Sequence, residues 1–159
     1  MCNKEIDEVT KAFRTAIQDR AVWFYLLLKA AKEEGANPEK VADRAITAFG
    51  KAKGATFGNI DGADQFIDKL SEGYGRAAFD MEIVEHTPEK SSLHFHHCAL
   101  VEAWKKIGCT QEEISELCRL ASFGDLGVVS NFPNLKLEFP KLIANGDDYC
   151  ELLVTKNII

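Results

Sequence analysis

The chain lacks any apolar run long enough to cross a bilayer. Its longest, AVWFYLLL at 21–28, falls far short of the roughly 20 residues a spanning helix needs. No stripe of lysine and arginine offsets a formal net charge of −6, so neither nucleic acid nor an anionic membrane is expected as a partner. The opening residues, MCNKEIDEVTKAF, are charged from the start and lack the apolar centre of a signal peptide, so a cytoplasmic address is expected. Five cysteines (2, 98, 109, 118 and 150) form an odd, scattered set without CxxC spacing. In a reducing compartment they are expected as thiols, and a structural zinc held by four cysteines is not expected. No glycine cluster follows a strand-to-helix phosphate pattern, so no nucleotide, flavin or other organic cofactor is predicted. Internal repeats, low-complexity segments and linkers are likewise missing.

What is there describes a globular protein. The 159 residues, 46% hydrophobic and 28% charged, suit one domain over 1–159 with a sizeable core. Residues 5–34 read as one long helix, with Ile6, Val9, Phe13, Ile17, Ala21, Phe24, Leu28 and Ala31 on a single stripe. Gly35 supplies its stop, and Asn37–Pro38 starts a second helix reaching about Gly54, with Val41, Ala45, Ala48, Phe49 and Ala52 as its apolar positions. After the glycine-punctuated loop GATFGNIDGAD, a short third helix carries Phe66, Ile67 and Leu70. Trp23, Tyr25 and Trp104 are read as core or core-edge aromatics.

From Ala78 the period changes to two. Phe79, Met81 and Ile83 alternate with charged neighbours, EHTPEKSS is a hairpin turn, and the returning strand sets Leu93, Phe95 and His97 against His94 and His96. Two helices follow. Leu100, Ala103, Trp104 and Ile107 face inward on the first, and Thr110 with Glu113 makes a capping box for the second. SFGDLGVVSNFPN reads as an irregular link, and LKLEF and DYCELLV as closing strands around an Asn145–Gly146 turn. Local strand pairing with clustered helices predicts an α+β fold, its N-terminal helices (about 1–75) packed with a small antiparallel sheet and two further helices (about 76–159).

Chemistry concentrates in HFHHC, residues 94–98, which holds three of the four histidines. His94 and His96, two apart on a strand, project to one side and can share a divalent metal, with Glu82, Asp80 or Glu138 as third ligand. The plainer account is the wet face of a sheet. Cys98 stands where strand gives way to helix, and unpaired amides there favour a thiolate. A neighbouring imidazole, His97 or another, could take its proton. Equally, Cys98 could be a small buried residue at a tight junction. On spacing alone Cys118 and Cys150 suit core packing and Asp125 suits a turn.

The back half of the chain resembles the L-2-amino-thiazoline-4-carboxylic acid hydrolase family. The resemblance rests on Cys98 leading into a helix that ends at Ile107–Gly108, on ELCRLASFGD with Cys118 and Asp125, and on LKLEFPKLIANGDDYCELLV with Gly146 and Cys150. It spans about 78–155. Ala99 stands where a proline often follows the first cysteine, and Cys118 and Asp125 lie further apart than in many relatives. The resemblance implies hydrolytic opening of a carbon–nitrogen bond of a cyclic amidine such as 2-aminothiazoline-4-carboxylate, or of a related heterocycle. Water adds to the carbon between nitrogen and sulfur, and the ring opens to N-carbamoyl-cysteine. In that reading Cys98 is the nucleophile or the water-side anchor, and His97 or His96 the acid–base. Asp125 orients the imidazole or protonates the ring nitrogen, and Cys118 and Cys150 line the pocket. The competing reading is a non-catalytic domain that binds a small molecule or a metal; a redox sensor using Cys98 with Cys118 or Cys150 is a third. The expected partner is a small-molecule substrate, with homo-oligomers left open.

Overall fold

In the computed structural model, which describes residues 6–157, two long helices lead: α1 (Glu8–Glu33) and α2 (Pro38–Gly54). Glu5, the expected first residue of α1, and Cys2 lie outside the described residues. Two short helices follow, α3 (Ala63–Leu70) and α4 (Gly75–Ala78), then the hairpin of β1 (Met81–His86) and β2 (Lys90–Phe95). Helices α5 (Ala99–Lys106), α6 (Gln111–Ala121) and α7 (Phe123–Val129) precede a second hairpin, β3 (Leu135–Lys141) and β4 (Cys150–Lys156), joined through a 3-10 turn at Ile143–Asn145. The class is α+β. Among the described residues no helix is long and apolar enough to cross a membrane.

Side-chain caps explain where three of the helices begin. Asp7 caps α1 by accepting from the Thr10 amide at 2.9 Å, and Asn37 caps α2 with Pro38 in its first turn. The capping box of Thr110 and Glu113 is complete at the start of α6. All strand pairs are antiparallel, in the order β1-β2-β4-β3. The two hairpins meet through β2 and β4, where Leu93 stands opposite Leu152.

Two large packed clusters, with a smaller one of Ile17, Ala78 and Ala99, hold the layers together. One lays Phe66 and Ile67 of α3 on the inner sheet face, against Leu93, Leu152 and Val154. The other joins α1, α5 and α6 through Ala21, Trp104, Leu117 and Leu120. Trp104 is 1% exposed, and its indole N–H donates to the Ala21 carbonyl at 2.9 Å. That bond satisfies the one polar atom of a buried indole and fixes α5 against α1.

Several sequence expectations need correction. Trp23 is 72% exposed, because it lies off the Ile17–Ala21–Leu28 stripe that is buried. Val9 and Phe13, placed on the expected apolar stripe, are exposed near the start of α1, where Phe13 meets the Tyr74 ring at 6.0 Å. On α2 the positions Val41, Ala45, Ala48, Phe49 and Ala52 are all exposed. The buried row is Ala42, Gly50 and Gly54, with Ile46 half-buried between them. The supposed irregular link contains α7, and it is α7 that packs on this row.

The α2–α7 contact is made backbone to backbone. A Cβ on Gly50 would meet the Gly124 carbonyl oxygen and come within 2.9 Å of the Gly127 Cα; one on Gly127 would lie 2.6 Å from the Thr47 carbonyl oxygen. These are rigid atoms that cannot swing away. Gly50→Ala gains roughly 0.5–1 kcal/mol of helix propensity but must push two helices apart, which typically costs about 1–3 kcal/mol or more. The clash wins: urea denaturation of Gly50→Ala is expected to show a net loss of about 1–2 kcal/mol, whereas a neutral or stabilising effect would contradict the close helix contact.

Candidate functional site

Between the two packed clusters lies a cavity of about 480 Å³, within the range of small-molecule sites. Its floor is the inner sheet face, with Met81, Phe95, Phe139 and Leu152. Its walls come from α1, α2 and α5–α7, which contribute Phe24, Ile46, Leu100 and Val128 among others. Arg20 and Lys53 also line it while remaining exposed, which puts both cations at the mouth, together with the largely exposed Phe49.

Four of the sequence-singled residues open into this one space: Cys98, Cys118, Asp125 and Cys150. Different elements deliver them. Cys98 is the N-cap of α5, Cys118 faces inward from α6, and Asp125 sits in the first turn of α7. Cys150 opens β4 and is positioned by the turn before it. There Gly146 takes φ +97°, Asp147 accepts from the Leu142 amide at 2.8 Å, and the Ile143 amide donates to Cys150 Sγ at 3.3 Å. The Gly-Asp-x-x-Cys run is thus a turn that presents a thiol.

The histidines go elsewhere. His97 Nε2 lies 3.3 Å from Glu102 Oε2, yet the angle makes no hydrogen bond and the buried atom is otherwise unpartnered. Burial, and after it the Arg14 charge, hold the His97 pKa below its usual value against the opposing pull of Glu102 and Asp80. His94 and His96 occupy the outer sheet face, where His96 Nε2 is 2.7 Å from Glu82 Oε2. None of the three lines the cavity, so no imidazole stands among the thiols.

Burial dominates the electrostatics within. It pushes the Cys98 thiol up, although the amides of Leu100 and Val101 pull the other way; they bias the sulfur without forming a capping hydrogen bond. The thiolate favoured by the helix start is therefore outweighed by desolvation. Cys118 is pushed up to about 12 and Cys150 to about 11, in both cases chiefly by burial. Asp125 is pushed up to about 6 by burial, tempered by the charges of Lys53 and Arg20. Asp125 is half-buried and lines the cavity. At neutral pH the site offers three neutral thiols, one carboxyl able to hold or release a proton, and two cations at its entrance.

Arg20 and Lys53 were not singled out in the sequence, and Phe49 was read only as an apolar position of its helix. On amphipathic helices the two cations look like ordinary surface positions, and only the i,i+4 spacing of Arg20 and Phe24 hints at a shared wall.

The L-2-amino-thiazoline-4-carboxylic acid hydrolase family matches residues 14–154. The chain belongs to that family. The match takes in the N-terminal helices, well beyond the segment from about 78 to 155 on which the resemblance rests, and it therefore includes both cations at the cavity mouth. No curated protein matches the sequence. Among solved structures, the chain is similar to a trafficking protein particle complex subunit 3 from Naegleria fowleri, crystallised covalently bound to palmitic acid, with a TM-score of 0.60 and 12% identity. The alignment covers 91% of this chain and 96% of the other. At that identity the likeness concerns the fold alone.

The raised Asp125 pKa has a consequence for stability. Between about pH 4 and about pH 6 the folded protein holds a proton that the unfolded chain has released, so stability falls as pH rises through that window. Above it the cost is constant, up to about 3 kcal/mol for the full shift. Asp125→Asn removes the ionising group. Chemical denaturation is expected to find the variant close to the parent at pH 4 and more stable at pH 7.5; equal effects at both pH values would mean that Asp125 titrates normally.

Proposed function

We propose that the protein hydrolyses a small cyclic amidine carrying a carboxylate, 2-aminothiazoline-4-carboxylate or a related heterocycle, inside this cavity. The observation that carries the reading is the Asp125 carboxyl held near pKa 6 among Cys98, Cys118 and Cys150, behind Arg20 and Lys53. Family membership supports the reaction class. A substrate carboxylate meets the two cations, and the ring occupies the space beyond. Asp125 exchanges a proton with the ring nitrogen, a role suited to a group whose pKa lies close to neutral. Because the thiols are neutral at rest, water is the attacking group and Cys98 lines its approach.

Atom balance fixes the bonds. Water saturates the carbon–nitrogen double bond, giving a tetrahedral carbon bearing oxygen, sulfur and two nitrogens. To reach N-carbamoyl-cysteine, the ring carbon–sulfur bond parts, and sulfur leaves with a proton as a thiol. A carbon–nitrogen bond parts only in related rings where nitrogen is the leaving atom.

Product analysis by mass spectrometry after incubation with 2-aminothiazoline-4-carboxylate tests this. N-carbamoyl-cysteine should accumulate, Asp125→Asn should slow turnover by about 10²–10⁴-fold, and Cys98→Ser should retain most activity. A covalent adduct on Cys98 would replace water by the thiol as nucleophile. No turnover of this substrate or of related carboxylated heterocycles by folded protein would refute the reaction.

One observation favours a second, non-catalytic reading. The lining is mostly aliphatic and aromatic, and the volume exceeds what one small heterocycle fills. Such a space suits an apolar chain whose carboxylate rests at Arg20 and Lys53, or whose acyl group is joined to Cys98 by exchange with an acyl thioester that releases the free carrier thiol. The structural neighbour's covalent palmitic acid is compatible with it. Intact mass of the protein as purified from cells separates the readings: an acyl adduct removed by hydroxylamine supports storage, and bare protein with hydrolase activity excludes it.

A further inference from the structure

The outer face of the sheet carries a second constellation, independent of the cavity. Alternation along β2 sends Phe95 inward to the cavity and His94 outward. Glu82 of β1 stands directly across from His94, and Glu151 of β4 stands directly across on its other side. His96 follows two residues on. Among the described residues, Glu82, His94 and His96 form a set whose candidate ligand atoms all lie within 4.8 Å of one another.

We propose that Glu82, His94 and His96 form a binding site for a divalent transition-metal ion of the zinc type. Two imidazoles and one carboxylate are a ligand set borderline ions favour, and three protein ligands leave a position for water or another small ligand. Ligand atoms about 2 Å from a tetrahedral ion lie about 3.3 Å apart, so rotation of the exposed Glu82 and His96 side chains closes the set without moving the strands. His94 is held in place: its ring stacks on Tyr149 with centroids 4.4 Å apart. Its Nε2 is 4.0 Å from Glu151 Oε1, beyond hydrogen-bond reach, and that oxygen already accepts from Ser92 at 3.0 Å. Lys141 of β3 sits 4.8 Å from the centroid of the same Tyr149 ring and opposite Glu151. Glu82 and Glu151 bracket the imidazoles with negative charge that a dication neutralises. Because Glu82 comes from β1 and both histidines from the β2 segment, an ion there cross-links the first hairpin.

Equilibrium dialysis and optical spectroscopy with cobalt(II), followed by competition with zinc(II), test the site on the full chain. One ion per chain is expected, with ligand-field bands of nitrogen and oxygen donors and without the thiolate-to-cobalt band that binding at the cysteines would give. His94→Ala and His96→Ala should each weaken binding more than about tenfold, at least the loss that altering even an outer-shell partner brings. His86→Ala, whose imidazole pairs with Asp68 instead, should leave it unchanged. Zinc should raise the melting temperature of the parent and of His86→Ala but not of His96→Ala, a comparison valid whenever the metal-free variants melt cooperatively. A thiolate band, unchanged affinity in His94→Ala, or no saturable binding would overturn the site.

Discussion

The meeting of α2 and α7 through bare backbone is the constraint from which the cavity follows. Were Gly50 and Gly127 to carry side chains, the two helices would stand further apart. Asp125, in the first turn of α7, and Lys53, near the end of α2, would then separate with them. As it is, the carboxyl is pressed among the thiols with the ammonium close enough to temper its pKa. Both helices line the cavity, α2 through Ile46 and Lys53 and α7 through Asp125 and Val128, so their close contact fixes one wall of it.

Desolvation then sets the chemistry. Three thiols and one carboxyl share the interior of this space, and burial moves each of these four toward its neutral form. The helix-start amides beside Cys98 act in the opposite direction and lose. That ordering decides between mechanisms, since a nucleophilic thiol needs its pKa near ambient pH, whereas a carboxyl raised to about 6 is already matched to proton transfer at neutral pH. The same aromatic and aliphatic lining that raises the carboxyl also makes the space hospitable to an apolar chain. Chemistry and capacity therefore stem from one feature.

What could be read from the sequence follows from the strength of the local signal. The caps at Asn37 and Thr110 and the first hairpin were legible, because a capping residue and a period of two act over a few residues. The antiparallel α+β arrangement followed from them. The cap at Asp7 was not read, and the first helix was started at residue 5. The face of α2 was misread because Ala48, Phe49 and Ala52 look like a hydrophobic stripe, while the true contact row contains glycines that no hydrophobicity pattern registers. Helix α7 was missed for the same reason, since two glycines in seven residues argue against a helix until a partner helix requires them. The gathering of Cys98, Cys118, Cys150 and Asp125 came into view only through the family resemblance. Spacing alone assigned three of them to packing or turns, and nothing local tells a thiol facing a cavity from one facing a core. His97 shows the converse: adjacency to Cys98 suggested a pair, but the strand ends at Phe95 and the ring turns away toward Glu102.

The strand β2 therefore serves two faces with different physics. Inward, Leu93 and Phe95 meet apolar surface, and Cys98 beyond the strand end is stripped of water. Outward, His94 and His96 keep contact with solvent and lie in a row of carboxylates set by the register with β1 and β4. A one-residue slip in that register would exchange the two sets and place imidazoles in the cavity and phenylalanine in water. The Leu93–Leu152 pairing at the sheet centre forbids it, because both side chains are fully enclosed. Core packing at one position thereby determines on which side of the sheet each kind of chemistry can occur.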